Sequence, residues 1–271
     1  ATRPVRALSA KLRSRTQGDL SAIEAPDLPR ELRPLVEGTN QVMDRLQGLL
    51  EHQKRFVRDA SHQLRTPLAV LKVQVQSALR GDMPANQALF EINETVERAT
   101  LLANQMLALA KVEQLRQQAD AQVLDLAQIV RTVALDLSPL IADKDLDFDL
   151  ATQAAPILAH EWMLRELVRN LLHNAIKHAP PHSPLAVHLV TDQHHAALTV
   201  ADAGPGISDA LRPRLFQPFS AGQGHGGSGL GLMICREIAL ALGGQITLDN
   251  RQRHGAVVGL DATVRLPLVQ G

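Results

Sequence analysis

The 271-residue sequence has one cysteine, few aromatic residues and no net charge. The single cysteine, Cys235, excludes an intrachain disulfide and is typical of a reducing compartment. Because 28 basic residues balance 28 acidic ones, the overall charge does not indicate binding to nucleic acid, and we expect no nucleic-acid partner. No apolar run approaches the roughly 20 residues of a membrane helix. The sequence starts at Ala1 without a signal peptide, which looks like a cut inside a longer protein with room for a membrane anchor upstream.

The remaining composition is that of a folded chain, with 45% hydrophobic and 21% charged residues, and its length predicts about two domains. Residues 1–50 contain two short helical patterns, at 5–15 and 30–50, on either side of a non-helical joint. Residues 51–118 contain two longer helical patterns separated by the break RGDMPAN. This arrangement predicts an antiparallel helical hairpin.

Apolar residues recur at helical spacing along both helices of the predicted hairpin. In the first helix Val57, Leu64 and Leu71 are spaced seven apart, and Ile92 and Val96 belong to a similar stripe in the second. One hairpin of this kind has two apolar stripes but only one partner face. Pairing of two hairpins into a four-helix bundle would cover the remainder, which predicts a homodimer.

From about residue 119 to residue 271 the pattern changes to short strands mixed with helices. VLDL and DFDL read as strands around a helix at 126–143, and HEWMLRELVRNLLHNAIKH reads as an amphipathic helix. LAVHLV and AALTVAD form a hairpin pattern, and QITLDN and DATVRLPL follow a helix at 230–241. Because strands and helices do not alternate strictly, we predict an α+β sandwich with helices on one face.

The stretch FVRDASHQLRTPLAVL places His62 in the middle of the first long helix. At 100° per residue, His62 lies roughly 140° from the middle of the stripe made by Leu64 and Leu68, so it should face solvent. Pro67 cannot donate to the carbonyl of Gln63, and we expect the helix to bend there. A neutral imidazole has a nucleophilic lone pair and accepts a phosphoryl group if the donor phosphate is placed in line.

The segment RNLLHNAIKH predicts one half of a nucleotide site. Asn170 and Asn174 lie four residues apart on one helical face, with Lys177 and His178 one turn further on. Two amide oxygens in this arrangement can share a Mg²⁺ ion with phosphate oxygens, and Lys177 adds a compact positive charge.

Two further segments predict the other half of the site. In ADAGPGI, Asp202 can accept a hydrogen bond from an adenine amino group, while Gly204 and Gly206 permit close approach of the backbone. The glycine-rich segment GQGHGGSGLGL runs into a helix, so its amides and the helix N-terminus can cradle phosphates. The candidate residues of this segment are Gly227, Gly229, Leu230 and Gly231. Each segment alone is weak, but their order and spacing together predict a nucleotide site.

With these motifs in this order, the chain resembles the bacterial two-component sensor histidine kinases over roughly residues 52–268. SHQLRTPL resembles the phosphoacceptor box of that family, NLLHNAIKH its asparagine box, DAGPGI and GGSGLGL its two glycine boxes, and LFQPF its phenylalanine box. By this resemblance, residues 1–50 form a partial HAMP signal-relay module and residues 51–118 the dimerisation and histidine phosphotransfer hairpin. Residues 119–271 form an ATP-binding domain of the GHKL (Bergerat) type.

The resemblance implies a homodimer that phosphorylates His62 with Mg-ATP and passes the phosphoryl group to an aspartate of a cognate response regulator. It implies that the chain is the cytoplasmic portion of a bacterial inner-membrane protein. At the position of Thr66, members of the family help to position water for the reverse, phosphatase reaction. Asn170 and Asn174 would hold Mg²⁺.

Several residues depart from the family pattern. Gln63 stands where most members have an acid that takes the imidazole proton, so we expect Gln63 to orient His62 while solvent takes the proton. Ala203 replaces a common asparagine, and His178 replaces an aromatic residue that often flanks the nucleotide. From residue 219 to residue 231 there is no Lys or Arg, and His225 is the one side chain that can become cationic. We therefore expect a weak grip on the γ-phosphate.

Two other functions remain open. A stand-alone GHKL ATPase would need a glutamate where this chain has Asn170, although Glu166 one turn earlier keeps that reading open. A nucleotide-gated scaffold with decayed kinase activity would fit Gln63 and the absence of Lys and Arg from residues 219–231. We expect Trp162 and Cys235 to be packing residues and His173 to lie on the back of the asparagine helix.

Overall fold

The computed structural model describes residues 19–23, 33–118, 120–217 and 230–269. It divides into two compact units, residues 1–69 and residues 70–271. The predicted helix at 5–15 and most of the glycine-rich segment, including Gly227 and Gly229, lie outside the described residues. Among the described helices, none combines the length and the apolarity needed to cross a membrane.

Two long helices come first, α1 (Arg33–Arg80) and α2 (Ala85–Arg116). The break between them starts at Gly81, whose φ of 75° lies in the left-handed region that favours glycine. Helix α1 joins the predicted helix at 30–50 to the first helix of the hairpin. Between these segments the sequence offers no stop signal stronger than Gly48, which a helix tolerates at about 1 kcal/mol.

Within the first unit, the described part of the joint docks on helix α1 through one asparagine. The backbone N–H of Ile23 donates to Oδ1 of Asn40 (2.7 Å), and Nδ2 of Asn40 donates to the carbonyl of Ile23 (3.3 Å). Ile23 and Val36 are both buried. The side-chain amide of Asn40 thus bonds the backbone N–H and carbonyl of Ile23, which lies in a segment without regular secondary structure.

The rest of the described chain forms the α+β domain. Its helices are α3 (Leu126–Asp136), α4 (Ser138–Asp143), α5 (Glu161–His178) and α6 (Gly231–Ala241), with a short 3₁₀ turn at Arg212–Arg214. Its strands are β1 (Gln122–Asp125), β2 (Asp147–Thr152), β3 (Pro156–Ala159), β4 (Pro184–Thr191), β5 (His195–Asp202), β6 (Gln245–Arg253) and β7 (Ala256–Pro267).

Five strands form one sheet in the order β2-β4-β5-β7-β6, and strands β1 and β3 pair separately. Only the β2–β4 pair is parallel in the described sheets. On β4, Leu185, Val187 and Leu189 are buried while their neighbours are more exposed, as alternation along a strand requires. Helix α5 buries Leu164, Leu167 and other apolar side chains in the same core and contacts α3, α6 and β5. The predicted fold class, a helical region followed by an α+β sandwich, is confirmed.

Two details differ from the expectation. The predicted helix at 126–143 is broken at Leu137, because Pro139 has no N–H to continue the first helix and instead occupies the first turn of α4. Strand β3 was not predicted, since PILA is too short to show alternation. It forms because it pairs with β1, where Val123 lies opposite Leu158.

Candidate nucleotide-binding site

Helix α5 presents its polar face to a cavity of about 1210 Å³. The opposite, apolar face of the helix anchors it in the core, so the polar face has a fixed direction. The cavity brings together seven of the predicted site residues: Asn170, Asn174, Lys177, His178, Asp202, Gly206 and Gly231. Leu230 is fully buried, and Gly204 lies directly behind Asp202.

The side-chain amide of Asn170 is held in one orientation. Its Nδ2 donates to the backbone carbonyl of Glu166 (2.8 Å) and to Oε1 of the same residue (2.7 Å). Because both partners are acceptors, the nitrogen must face them, which resolves the usual ambiguity of an amide group. The oxygen Oδ1 lies on the side of Gly231, where an added Cβ would be 3.2 Å away. Glycine at residue 231 therefore keeps space beside this oxygen.

Asp202 is almost completely buried, with 4% of its surface exposed. Its Oδ1 accepts a hydrogen bond from the backbone N–H of Gly204 (2.7 Å). Burial raises the pKa of Asp202, while the Gly204 N–H and the nearby Arg251 guanidinium act in the opposite direction. A buried carboxylate in the lining of a cavity is suited to accept a hydrogen bond from a base amino group.

The two glycines after Asp202 have no room for side chains. A Cβ at Gly204 would lie 2.9 Å from the carbonyl oxygen of His178, so the loop packs on the end of helix α5. Gly206 has a φ of 69°, and a Cβ there would lie 2.5 Å from Cγ1 of Val257. The backbone at both glycines is therefore closely packed within the protein, and its approach to a nucleotide base stays a prediction.

Two residues of strand β6 that the sequence reading missed hold this loop in place. Asn250 accepts from the N–H of Ile207 (2.8 Å) and donates to its carbonyl (2.7 Å). Arg251 donates to the backbone carbonyl of Asp202 (2.7 Å) and pairs with Asp261. In the sequence both residues resemble solvent-facing positions at the end of a strand, so no local pattern identifies them.

We expect replacement of Asn250 by alanine to weaken nucleotide binding several-fold, because the Ile207 peptide loses both partners and the loop loses its fixed position. Titration calorimetry with Mg-ATP measures the effect. Thr247→Ala, on the same strand, is the matched control and should leave affinity unchanged. Equal affinities for the Asn250→Ala and unaltered chains would contradict the role of this clamp.

Helix α2 forms the other wall of the cavity and is tied to the start of helix α5. The ammonium of Lys111 lies 4.4 Å from the centroid of the Trp162 ring, a cation–π contact. The ring nitrogen Nε2 of His160 lies 3.2 Å from the carbonyl oxygen of Leu115. Trp162 is thus a helix-packing residue, as expected.

The expectations for two other residues have opposite outcomes. Cys235 is fully buried, as expected, and burial raises the pKa of its thiol, which keeps it protonated. The expected position of His173 on the back of helix α5 is wrong, because His173 lines the cavity with Asn170 and Asn174. Partial burial and the neighbouring ammonium of Lys177 lower the pKa of His173. Burial also lowers the pKa of Lys177.

His62 is exposed on helix α1, as the helical projection predicts. Gln63 and Thr66 are exposed beside it, and Thr66 Oγ1 lies 3.5 Å from the carbonyl of His62. Pro67 lies inside the continuous helix. The bend at Pro67 remains a prediction.

Three family models match consecutive segments of the chain. Residues 2–48 match the sensor protein PhoQ-like HAMP domain, and residues 52–115 match the His Kinase A (phospho-acceptor) domain. Residues 159–270 match the histidine kinase-, DNA gyrase B- and HSP90-like ATPase. The sheet and its cavity are therefore those of an ATP-binding domain of this class. Together with the phospho-acceptor segment upstream, they show that the chain belongs to the bacterial two-component sensor histidine kinases.

Curated relatives agree with this assignment. Sensor protein QseC of Salmonella typhi is 34% identical over 270 residues, which are 97% of this chain and 58% of that protein. Sensor protein kinase PmrB of Pseudomonas aeruginosa is 31% identical over 273 residues, 98% of this chain and 56% of that protein. The chain thus spans a little over half the length of these relatives.

Two solved structures share the fold. Acinetobacter baumannii histidine kinase AdeS superposes with a TM-score of 0.63 at 22% identity, over 77% of this chain and 98% of that chain. Histidine kinase ThkA, in complex with response regulator protein TrrA, has a TM-score of 0.63 at 18% identity, over 98% of this chain and 83% of that chain.

Proposed function

We propose that this chain is the kinase core of a sensor protein, which transfers the γ-phosphoryl group of Mg-ATP to His62 and then to an aspartate of a response regulator. The observation that carries the proposal is the convergence of Asn170, Asn174, Lys177 and Asp202 on one cavity. These side chains are the types that an adenine and a magnesium triphosphate need, and an exposed histidine lies on helix α1.

The residues of the cavity have separate roles in nucleotide binding. Asp202 accepts a hydrogen bond from the adenine amino group, and Gly204 and Gly206 let the backbone approach the base. Lys177 pairs with phosphate, and His178 flanks the nucleotide. In the glycine-rich segment that leads into helix α6, Gly227, Gly229, Leu230 and Gly231 contribute backbone amides and space for the phosphates.

The side chains present fit a magnesium ion. Asn170 and Asn174 supply neutral oxygen ligands on one helical face, and the Glu166 contact leaves Oδ1 of Asn170 directed away from the Glu166 carboxylate. Bound Mg²⁺ would neutralise phosphate charge during transfer. Because neutral amides add no negative charge, they do not repel the triphosphate.

The transfer to His62 is a substitution at phosphorus. An imidazole nitrogen of His62 forms the new bond to the γ-phosphorus, the bond from that phosphorus to the bridging oxygen breaks, and ADP leaves with the electron pair. The proton of the attacking imidazole passes to solvent, because Gln63 can orient the ring but cannot accept a proton. Thr66 would position water for the reverse, phosphatase reaction.

Exposed apolar side chains on the two long helices support a homodimer. Leu68 and Val75, on one face of helix α1, are 59% and 39% exposed, and Leu89 and Leu107, on one face of helix α2, are 65% and 67% exposed. Faces of this kind become buried when two hairpins pair into a four-helix bundle. The complex of ThkA with response regulator protein TrrA supports a response regulator as the second partner. The PhoQ-like HAMP match supports a place at the cytoplasmic side of the bacterial inner membrane.

Labelling with Mg-ATP that carries ³²P at the γ-position tests the proposed function. Acid-labile label on the protein is expected, as for a phosphorylated histidine. Stoichiometric phosphate release without labelled protein would instead favour a stand-alone ATPase.

Variants of Glu166, which contacts Asn170, also distinguish a kinase from a stand-alone ATPase. If Glu166 orients Asn170, Glu166→Gln keeps an acceptor for Nδ2 and should label within about threefold of the unaltered chain, whereas Glu166→Leu should label about tenfold more slowly. If Glu166 activated water, both variants would lose phosphate release alike. Parallel assays of labelling and phosphate release distinguish the two roles.

A further inference from the structure

Helix α5 is followed by residues that cannot supply the usual backbone N–H donors to its last carbonyls. The last carbonyls of a helix have no partners within it and are often met by N–H groups of the following residues. Here Ala179 donates to the carbonyl of Ala175 (2.9 Å), but Pro180 and Pro181 come next and have no N–H.

Lys144, which follows helix α4, meets these carbonyls instead. Its ammonium nitrogen Nζ lies 2.8 Å from the carbonyl oxygens of both Ile176 and Lys177 and 2.9 Å from that of Ala179. An ammonium group has three N–H donors, so each carbonyl receives one. The positive charge is also favourable at the C-terminal end of a helix.

The backbone around Lys144 braces the same region. The N–H of His182, the first one after the two prolines, donates to the carbonyl of Lys144 (3.0 Å). Asp145, with a φ of 50°, places its carboxylate 2.9 Å from Nδ1 of His182. The segments at residues 144–145 and 179–182 are therefore joined through both side chains and backbone.

The end of helix α5 held in this way is part of the nucleotide cavity. Lys177 and His178 line the cavity, and the carbonyl oxygen of His178 lies against Gly204, directly behind Asp202. A displacement of the last turn would therefore move Lys177, which is proposed to pair with phosphate, together with the loop at Gly204 beside the proposed adenine site.

We propose that Lys144 is a positioning residue for nucleotide binding, which fixes the last turn of helix α5 by binding the carbonyls of Ile176, Lys177 and the following Ala179. This inference rests on the proposed function, since it assumes that the cavity holds Mg-ATP. Lys144 does not line the cavity and acts on the nucleotide only through Lys177, His178 and the loop at Gly204.

The test is calorimetric titration of the full chain with Mg-ATP, together with a thermal melt without nucleotide. Lys144→Met keeps the aliphatic stem but removes all three donors, and we expect the Kd for Mg-ATP to rise about tenfold. Arg131→Met is the matched control, because Arg131 makes one hydrogen bond to Thr152 (2.8 Å) elsewhere in the domain. Its Kd should equal that of the unaltered chain.

A Lys144→Met chain that melts at a lower temperature but binds Mg-ATP with unchanged Kd would overturn the positioning role. If that variant does not fold, Lys144→Arg provides the test. A planar guanidinium cannot direct three N–H groups to one point as an ammonium does, so the Kd should still rise about threefold. An unchanged Kd for Lys144→Arg would then overturn the inference. If the unaltered chain itself does not bind Mg-ATP, the proposed function is overturned together with the inference. If only the Lys144 variants show an unchanged Kd, the inference alone is overturned.

Discussion

A His62→Gln chain should take up no detectable phosphoryl group from Mg-ATP while binding the nucleotide as tightly as the unaltered chain. Glutamine keeps a polar side chain of moderate length but has no nucleophilic nitrogen, so the phosphorus has no acceptor. His62 is exposed, and its replacement leaves no buried group without a partner. Autoradiography of the protein and calorimetry with Mg-ATP measure the two quantities.

The matched control is His188→Gln, which removes an exposed histidine from strand β4. This variant should label like the unaltered chain. Persistent label on His62→Gln would show that another residue accepts the phosphoryl group. Loss of label together with loss of nucleotide binding would show that the substitution acts through the fold, contrary to the exposed position of His62.

The second large effect is expected at Asp202. In Asp202→Asn, the amide oxygen must keep the bond from the Gly204 N–H, so the amide nitrogen would face the cavity. A donor would then meet the donor amino group of adenine, and we expect the Kd for Mg-ATP to rise about 100-fold. Calorimetry measures the Kd, and labelling of His62 should fall in parallel.

Although Asp202→Asn should bind Mg-ATP more weakly, its folded state should not be less stable than that of the unaltered chain. Burial raises the pKa of Asp202 in the folded chain, so ionisation is disfavoured there relative to the unfolded chain. Protonated Asp202 therefore contributes to the free energy of unfolding below the ordinary carboxyl pKa of about 3.9, and this contribution is lost as pH rises through the raised pKa. Near neutral pH the variant should therefore melt at the same temperature as the unaltered chain or higher.

Asp149→Asn on strand β2 is the control for Asp202→Asn, because Asp149 is an exposed carboxylate that does not line the cavity. It should change neither the Kd nor the melting temperature. Normal Mg-ATP affinity in Asp202→Asn would contradict the role of Asp202 in binding the base.

The parts of the site that could be predicted from sequence are those fixed by helical or strand periodicity. The spacing of Asn170 and Asn174 defines one face of a helix wherever that helix lies, and both residues line the cavity. His62 was placed towards solvent by the same projection. Each of these features depends on residues within about one turn of one another.

The parts that could not be predicted depend on contacts between distant segments. Lys144 lies more than thirty residues before the carbonyls that it binds, and Asn250 more than forty after Ile207. The orientation of the Asn170 amide depends on a side-chain pair whose geometry a spacing rule does not give. Strand β3 exists only through its pairing with β1, and His173 lines the cavity because of how α2 lies beside α5.

The two prolines that follow helix α5 have a consequence for how relatives of this chain diverge. Where Pro180 or Pro181 is replaced by a residue with an N–H, the helix can close through its own backbone, and selection on Lys144 should relax. Where both prolines persist, a lysine at this position should persist with them. Aligned sequences of relatives should therefore show correlated substitution between these positions, which lie far apart along the chain.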